Sequence, residues 1–300
     1  MLSHWAMIFP GQGSQAVGML SEMAAKYPVI GNTFEQASQL LGYDLWLLIN
    51  EGPAEQLNQT AYTQPALFVA EMALWRCWQE LSDARPSVVA GHSLGEYSAL
   101  ACAGVLSFED ALALVVARGQ AMQEAVPGGV GAMAAIVGLS DEVVQGICDG
   151  CAQQQIVSPA NYNSIGQVVI AGHADAVARA VAEAKQQGAK LAKILPVSVP
   201  SHCVLMQPVV DSLAAVMETK TWHAPVIPVI QNFDAQAHTE VLAIRHGLLQ
   251  QLVAPVRWVE TIQAIHAQGI HVFVECGPGK ILSGLCKRID RQLVALAFNT

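Results

Sequence analysis

A hydroxyl between two glycines is the first candidate for chemistry in this chain. In "VVAGHSLGEYSA" (88–99), Ser93 sits where a short apolar run meets a stretch of helical character. Gly-x-Ser-x-Gly at such a junction reads as a nucleophile elbow, because small flanking residues permit the tight turn that lifts the hydroxyl clear of a sheet. The helix behind it would present its N-terminal N–H groups, so the Leu94 backbone could donate to an oxyanion formed on a carbonyl attacked by Ser93. The same residues also fit a turn serine that caps the next helix. A nucleophilic serine needs a base, and the chain has nine histidines. His92 adjoins Ser93, but neighbouring side chains diverge on an elbow, which makes it a support rather than the base. His202, in "VSVPSHCVLM" (197–206), follows a strand-like run ending at Pro200 and precedes a helix, a setting where a polar side chain can face a cleft. A histidine merely hydrogen-bonded on the surface or in the core is the competing reading. Several acids lie between Ser93 and His202, none in a persuasive setting, and a backbone carbonyl can accept the Nδ1 hydrogen bond in place of a carboxylate.

The other conspicuous residue is Arg118. In "SFEDALALVVARGQAMQE" (107–124), Ser107 and Asp110 form a capping-box signal, and Phe108, Leu112, Val115, Val116 and Met122 make one apolar stripe. Arg118 is the only charge between Asp110 and Glu124. Either it pairs with a carboxylate of the protein, or it is kept for the carboxylate of a substrate, held by two parallel hydrogen bonds. Composition leaves the two readings even.

These residues need a scaffold. Apolar runs at 5–9, 87–90, 225–230, 272–276 and 293–298 have strand character, with helical periodicity between them, as in the run from Gln64, where Pro65 suits a first helical turn. Alternating strands and helices predict an α/β fold: a large α/β-hydrolase-like domain with a mostly parallel sheet. Residues 131–197 change rhythm and read as strand, helix, strand, strand, helix, strand, the order of a ferredoxin-like unit. The expected organisation is a large catalytic domain formed by 1–126 and 198–300, interrupted by a small ferredoxin-like subdomain at 127–197.

Composition excludes several classes of function. With 53% hydrophobic and 13% charged residues the chain is not disordered, and a net charge of −9 argues against broad nucleic-acid binding. No run approaches the roughly 18 apolar residues of a membrane span and the N-terminus lacks a secretory pattern, so the expected location is cytoplasmic. Seven scattered cysteines fit reduced thiols, and the single Cys148-x-x-Cys151 pair carries no second pair or histidine cluster that would call for a metal.

Seven segments in order, "FPGQGSQAVGM" (9–19), "TQPALF" (63–68), "AGHSLGEYSALACAGVLSFEDAL" (90–112), "ARGQAMQEAVPGG" (117–129), "PANYNSIGQVVIAG" (159–172), "VSVPSHC" (197–203) and "ECGPGKILSGL" (275–285), resemble the malonyl-CoA:acyl-carrier-protein transacylases of bacterial fatty acid synthesis. The resemblance spans nearly the whole chain. It implies Ser93 as nucleophile, His202 as general base, the N–H groups of Gln12 and Leu94 as oxyanion hole, Arg118 as ligand of the malonyl carboxylate, and the main-chain carbonyl of Gln251 as the group that orients His202. The implied reaction is ping-pong transfer of malonyl from malonyl-CoA to the phosphopantetheine thiol of acyl carrier protein, with no metal and no cofactor of the enzyme's own. Carrier docking is expected at basic groups around Lys287 and Arg288 or Lys185 and Lys190, since carrier proteins are acidic. The alternative is a serine thioesterase or esterase that passes the acyl group to water.

Overall fold

The computed structural model describes residues 4–197 and 199–299; Ser198, the first residue of the expected second catalytic segment, and both chain ends lie outside the described residues. The apolar runs become two sheets. Strands β1 (Trp5–Phe9), β2 (Val88–Gly91), β3 (Gly131–Val137), β4 (Val157–Ser164), β5 (Gln167–His173), β6 (Leu191–Ile194), β7 (Val229–Ile230), β8 (Val272–Glu275) and β9 (Val294–Ala297) follow the chain. The first sheet has the order β7-β2-β1-β8-β9, and every neighbouring pair in it is parallel. Central β1 is buried along its whole length: Trp5, Met7 and Phe9 join one hydrophobic cluster and Ala6 and Ile8 another. That two-sided burial explains its unbroken apolar run.

Only Val229 and Ile230 of the run at 225–230 pair with β2. Pro225 and Pro228 have no N–H to give a ladder, which restricts this edge strand to the two residues beyond them. The long helix expected from Gln64 opens four residues earlier and runs Thr60–Leu81, because the Gln59 carbonyl already accepts from the N–H of Thr63 at 2.8 Å. Pro65 therefore lies inside the helix rather than at its first position.

The second sheet is antiparallel in the order β4-β5-β3-β6, so its first strand lies between its third and fourth. Helices Asp141–Ala152 and Ala174–Gln186 cover one face with a core of their own. The opposite face carries Met133, Ala160, Val169 and Ala171 and packs against Cys203 of the larger part. Val256 ties the two parts together: its carbonyl accepts from Tyr162 and its N–H donates to Ala160, both at 2.9 Å. Among the described residues no helix is long and apolar enough to cross a membrane, and no cluster of His, Cys, Asp and Glu is arranged to hold a metal ion.

Candidate active site

The elbow forms where β2 ends. Ser93 has φ of 55°, in the left-handed region that a residue with a side chain occupies only when its surroundings enforce it. The enforcement is steric. A Cβ on Gly91 would stand 1.9 Å from the Gly95 carbonyl carbon, and one on Gly95 would stand 2.2 Å from the Phe9 carbonyl oxygen. Both positions therefore need glycine, and the turn is pressed against the end of β1. Gly11 approaches as closely, since its Cβ would meet the His92 carbonyl oxygen at 2.5 Å. The loop after β1 thus brings Gln12 beside the elbow.

Ser93 Oγ lies 2.7 Å from His202 Nε2, and the Nδ1–H of His202 donates to the Gln251 carbonyl at 2.7 Å. The second bond fixes the tautomer: Nε2 carries the lone pair and faces the hydroxyl. His202 is itself in the left-handed region, at φ 60°, in the turn before helix Gln207–Glu218. Burial, followed by the nearby positive charge of Arg118, pushes its pKa down to about 3, so it stays neutral at physiological pH. Among the described residues no carboxylate hydrogen-bonds the ring.

Arg118 rises from helix Phe108–Glu124, capped as expected by the Ser107 side chain accepting from the Asp110 N–H. It is fully buried, and its Nη2 donates to Ser93 Oγ at 3.1 Å and to Gln251 Oε1 at 3.0 Å. The guanidinium also lies 5.5 Å from the Tyr97 ring centroid. Among the described residues it forms no ion pair with a carboxylate, and its Nε has no hydrogen-bond partner. A buried guanidinium with donors to spare suits an incoming anion better than an internal salt bridge.

A cavity of about 190 Å³ opens over these groups. Gln12, His92, Ser93, Leu94, Arg118 and His202 form its floor, and Met133, Asn161, Asn163 and Val169 of the small sheet form its far wall. Gln12 and Leu94 both line the cavity with Ser93, and among the described residues neither N–H donates to another protein group. His92 turns away from the serine: its Nε2 meets Asn163 Oδ1 at 2.8 Å, and its ring lies 5.5 Å from that of Trp258.

The remaining predicted positions lie outside this constellation. Lys287 and Arg288 are exposed on the last turn of helix Ile281–Ile289, where Arg288 bonds Gln167 of β5 at 2.9 Å. Lys185 and Lys190 are exposed on the small part. Cys148 and Cys151 are free thiols on one helix, and burial pushes Cys148 up to about 12.

Sequence reasoning missed two residues that hold the site, Asn232 and Glu96, and the side-chain role of a third, Gln251. Asn232 accepts from the Ser93 N–H at 2.7 Å and donates to the Gly91 carbonyl at 2.7 Å, strapping the elbow from outside. Glu96 and the Gln251 side chain lie directly behind it. Glu96 did leave a signal, as the only charge in an otherwise uncharged run "GHSLGEYSALACAG" (91–104). Asn232 left none.

Residues 6–289 match the family described as acyl transferase domain. The chain is 55% identical over 298 residues to the malonyl CoA-acyl carrier protein transacylase of Salmonella typhimurium, covering 99% of this chain and 96% of that protein. The Bacillus subtilis protein of the same name is 43% identical over 299 residues, with 99% and 94% covered. Among solved structures, the transacylase of Coxiella burnetii superimposes with a TM-score of 0.98 at 55% identity, covering 99% of this chain and 94% of that one. A malonyl-transacylase solved in complex with a type II PKS acyl-carrier protein superimposes with a TM-score of 0.97 at 54% identity, with 99% and 96% covered.

Proposed function

The chain belongs to the acyl transferase domain family, among its malonyl CoA-acyl carrier protein transacylases, and from that premise we propose how its own residues carry a malonyl group from malonyl-CoA to acyl carrier protein. The observation that carries the proposal is the convergence on one hydroxyl. Ser93 Oγ has the His202 lone pair at 2.7 Å and the Arg118 guanidinium at 3.1 Å, a base and an anion receptor on the same atom.

In the first half-reaction His202 Nε2 takes the Ser93 proton as Oγ attacks the thioester carbonyl. The N–H groups of Gln12 and Leu94 receive the oxyanion, the C–S bond breaks, and His202 returns the proton to the departing coenzyme A sulfur. The malonyl-serine ester then waits while Arg118 holds its carboxylate. In the second half-reaction the phosphopantetheine thiol gives its proton to His202 and attacks the ester, and Ser93 leaves with that proton. Neither half needs a metal or a cofactor resident in the protein. The division into a catalytic part (1–126 and 198–300) and a smaller one (127–197) gives the cleft its two walls in this reading. The carrier approaches along exposed cations, with Lys287 and Arg288 or Lys185 and Lys190 as the contacts.

Intact-mass measurement after brief exposure to malonyl-CoA tests the reading. The wild type should gain one malonyl group, Ser93→Ala none, and added carrier protein should discharge the adduct. Steady release of coenzyme A without an adduct would instead favour the thioesterase.

A further inference from the structure

Behind the reacting groups lies a fully buried carboxylate that touches none of them. Glu96, on the first turn of helix Gly95–Cys102, is 0% exposed. Its Oε1 accepts from Gln231 Nε2 at 2.9 Å; its Oε2 accepts from the Asn232 N–H at 2.8 Å and from Gln251 Nε2 at 3.0 Å. These three bonds tie the start of this helix to the residues after β7 and to helix Val241–Val253. We propose that Glu96 is a positioning residue for acyl transfer, an ionised carboxylate that fixes Ser93 through Asn232 and fixes both His202 and Arg118 through Gln251.

Each arm of the network ends at a group the proposed chemistry uses. Through Asn232, Glu96 reaches the Ser93 N–H (2.7 Å) and the Gly91 carbonyl (2.7 Å), and so holds the left-handed elbow from both sides. Through Gln251 it reaches three groups at once. The Gln251 main-chain oxygen accepts from His202 Nδ1 at 2.7 Å, its Oε1 accepts from Arg118 Nη2 at 3.0 Å, and its Nε2 also donates to the Ser93 carbonyl at 3.0 Å. Gln251 can serve all of these only in one amide orientation, Oε1 toward Arg118 and Nε2 toward Glu96. A carboxylate selects that orientation because it offers acceptors alone.

The donor set also decides the charge of Glu96. All three partners present N–H groups, and both amides are held that way round because each Nε2 also donates to a main-chain carbonyl, Gln231 to Ile244 and Gln251 to Ser93, each at 3.0 Å; in this orientation a protonated carboxyl would find no acceptor among them. Burial pushes the carboxyl above its usual range, while the three donors and the neighbouring Arg118 charge pull the other way. The cation of Arg118 therefore sits near a fixed counter-charge that does not occupy its free donors, which stay available to a substrate anion.

The inference rests on the transfer reading, and its test separates the two. Loading by malonyl-CoA is followed in a single turnover by rapid quench and intact mass, for the wild type, Glu96→Gln, Glu96→Asp and Gln231→Met. Amplitude reports the fraction of competent enzyme; the rate constant reports the geometry of that fraction. Glu96→Gln places an amide N–H against donors, and a displacement of about 1 Å at the reacting groups should slow loading about 100-fold. The half-saturating malonyl-CoA concentration should stay within about three-fold of wild type, and Glu96→Asp should recover about ten-fold of the lost rate by restoring the charge. A wild-type rate constant in Glu96→Gln with only the amplitude reduced would mean a purely structural role and overturn the inference, while leaving the transfer reading intact. Failure of the wild type to load at all would sink the transfer reading itself. Should Glu96→Gln fail to fold, Gln231→Met removes a single donor from Glu96 away from the reacting atoms. It should slow loading several-fold at full amplitude, and wild-type rate constants in both Gln231→Met and Glu96→Asp would equally overturn the inference.

Discussion

Replacing Arg118 with methionine tests how the site tells malonyl from acetyl. Methionine is unbranched, apolar and flexible enough to fill a buried channel without a polar atom to satisfy. Arg118 is 0% exposed, so its guanidinium acts out of reach of solvent screening. In the free site it gives hydrogen bonds to Ser93 Oγ and Gln251 Oε1 and keeps Nε unbonded. The substitution affects the serine and the glutamine whichever acyl group arrives, so the ratio of malonyl to acetyl loading reports what the guanidinium does for the malonyl carboxylate, chiefly its hydrogen bonds and secondarily its effect on the base. Two charge-assisted hydrogen bonds of about 1.5–3 kcal/mol each give about 3–6 kcal/mol. That converts to a selectivity loss of about 10²- to 10⁴-fold. The assay is single-turnover loading by each acyl-CoA, read by intact mass over a range of concentrations. A ratio in R118M within about three-fold of wild type would refute the reasoning and leave selectivity to the shape of the cavity.

Two further outcomes follow from buried groups. With the His202 pKa near 3 the base is already deprotonated at mild acidity, so single-turnover loading should be flat from about pH 5.5 to 8, whereas an ordinary histidine near 6.5 would lose about ten-fold by pH 5.5. An acid limb centred near 6.5 contradicts this. The same depression means that the folded state binds fewer protons than the unfolded chain, so His202 contributes stability above the unfolded value that is lost as pH falls toward about 3. Glu71 has the opposite sign: it is fully buried, and burial pushes its pKa well above 4.5, outweighing the nearby Ser98 side chain that acts to lower it. The folded state keeps that proton while the unfolded chain releases it, so stability falls as pH rises above 4.5 until the folded group itself ionises. Glu71→Met should therefore raise Tm, by more at pH 8 than at pH 5, and equal melting of the two proteins at pH 8 counts against it.

Legibility tracked the range of the interaction. The elbow could be read because Gly91, Ser93 and Gly95 are local to one turn, and the same geometry requires all three. The helix bearing Arg118 was readable from its Ser107 cap and its apolar stripe, and the small sheet from the order of strands and helices along 131–197. Pro65 misled because a proline that suits a first turn can also sit inside a helix whose opening is decided elsewhere, here by the Gln59 carbonyl. Asn232 could not be read at all: it lies 139 positions from the Ser93 N–H it bonds, and an asparagine near a short strand carries no mark of what will fold against it. Gln251 came only through family resemblance, and only for its carbonyl. The three partners of its side chain depend on a helix whose approach no local pattern encodes.

The arrangement gives one charge two consequences. In the free site the Arg118 cation is among the causes that hold the His202 pKa down, so the base is present but weak. A malonyl carboxylate paired with Arg118 offsets that cation and lets His202 become more basic when a thioester is in position; an acetyl group brings no such charge. Discrimination on this argument lies partly in the rate of the chemical step, which uniform binding would not change. Glu96 cannot supply the effect itself, because its charge is the same before and after the substrate arrives. In R118M the base should be stronger from the outset, and acetyl loading should respond to that change while malonyl loading loses its anchor. The two substrates should therefore converge from both sides rather than by malonyl falling alone.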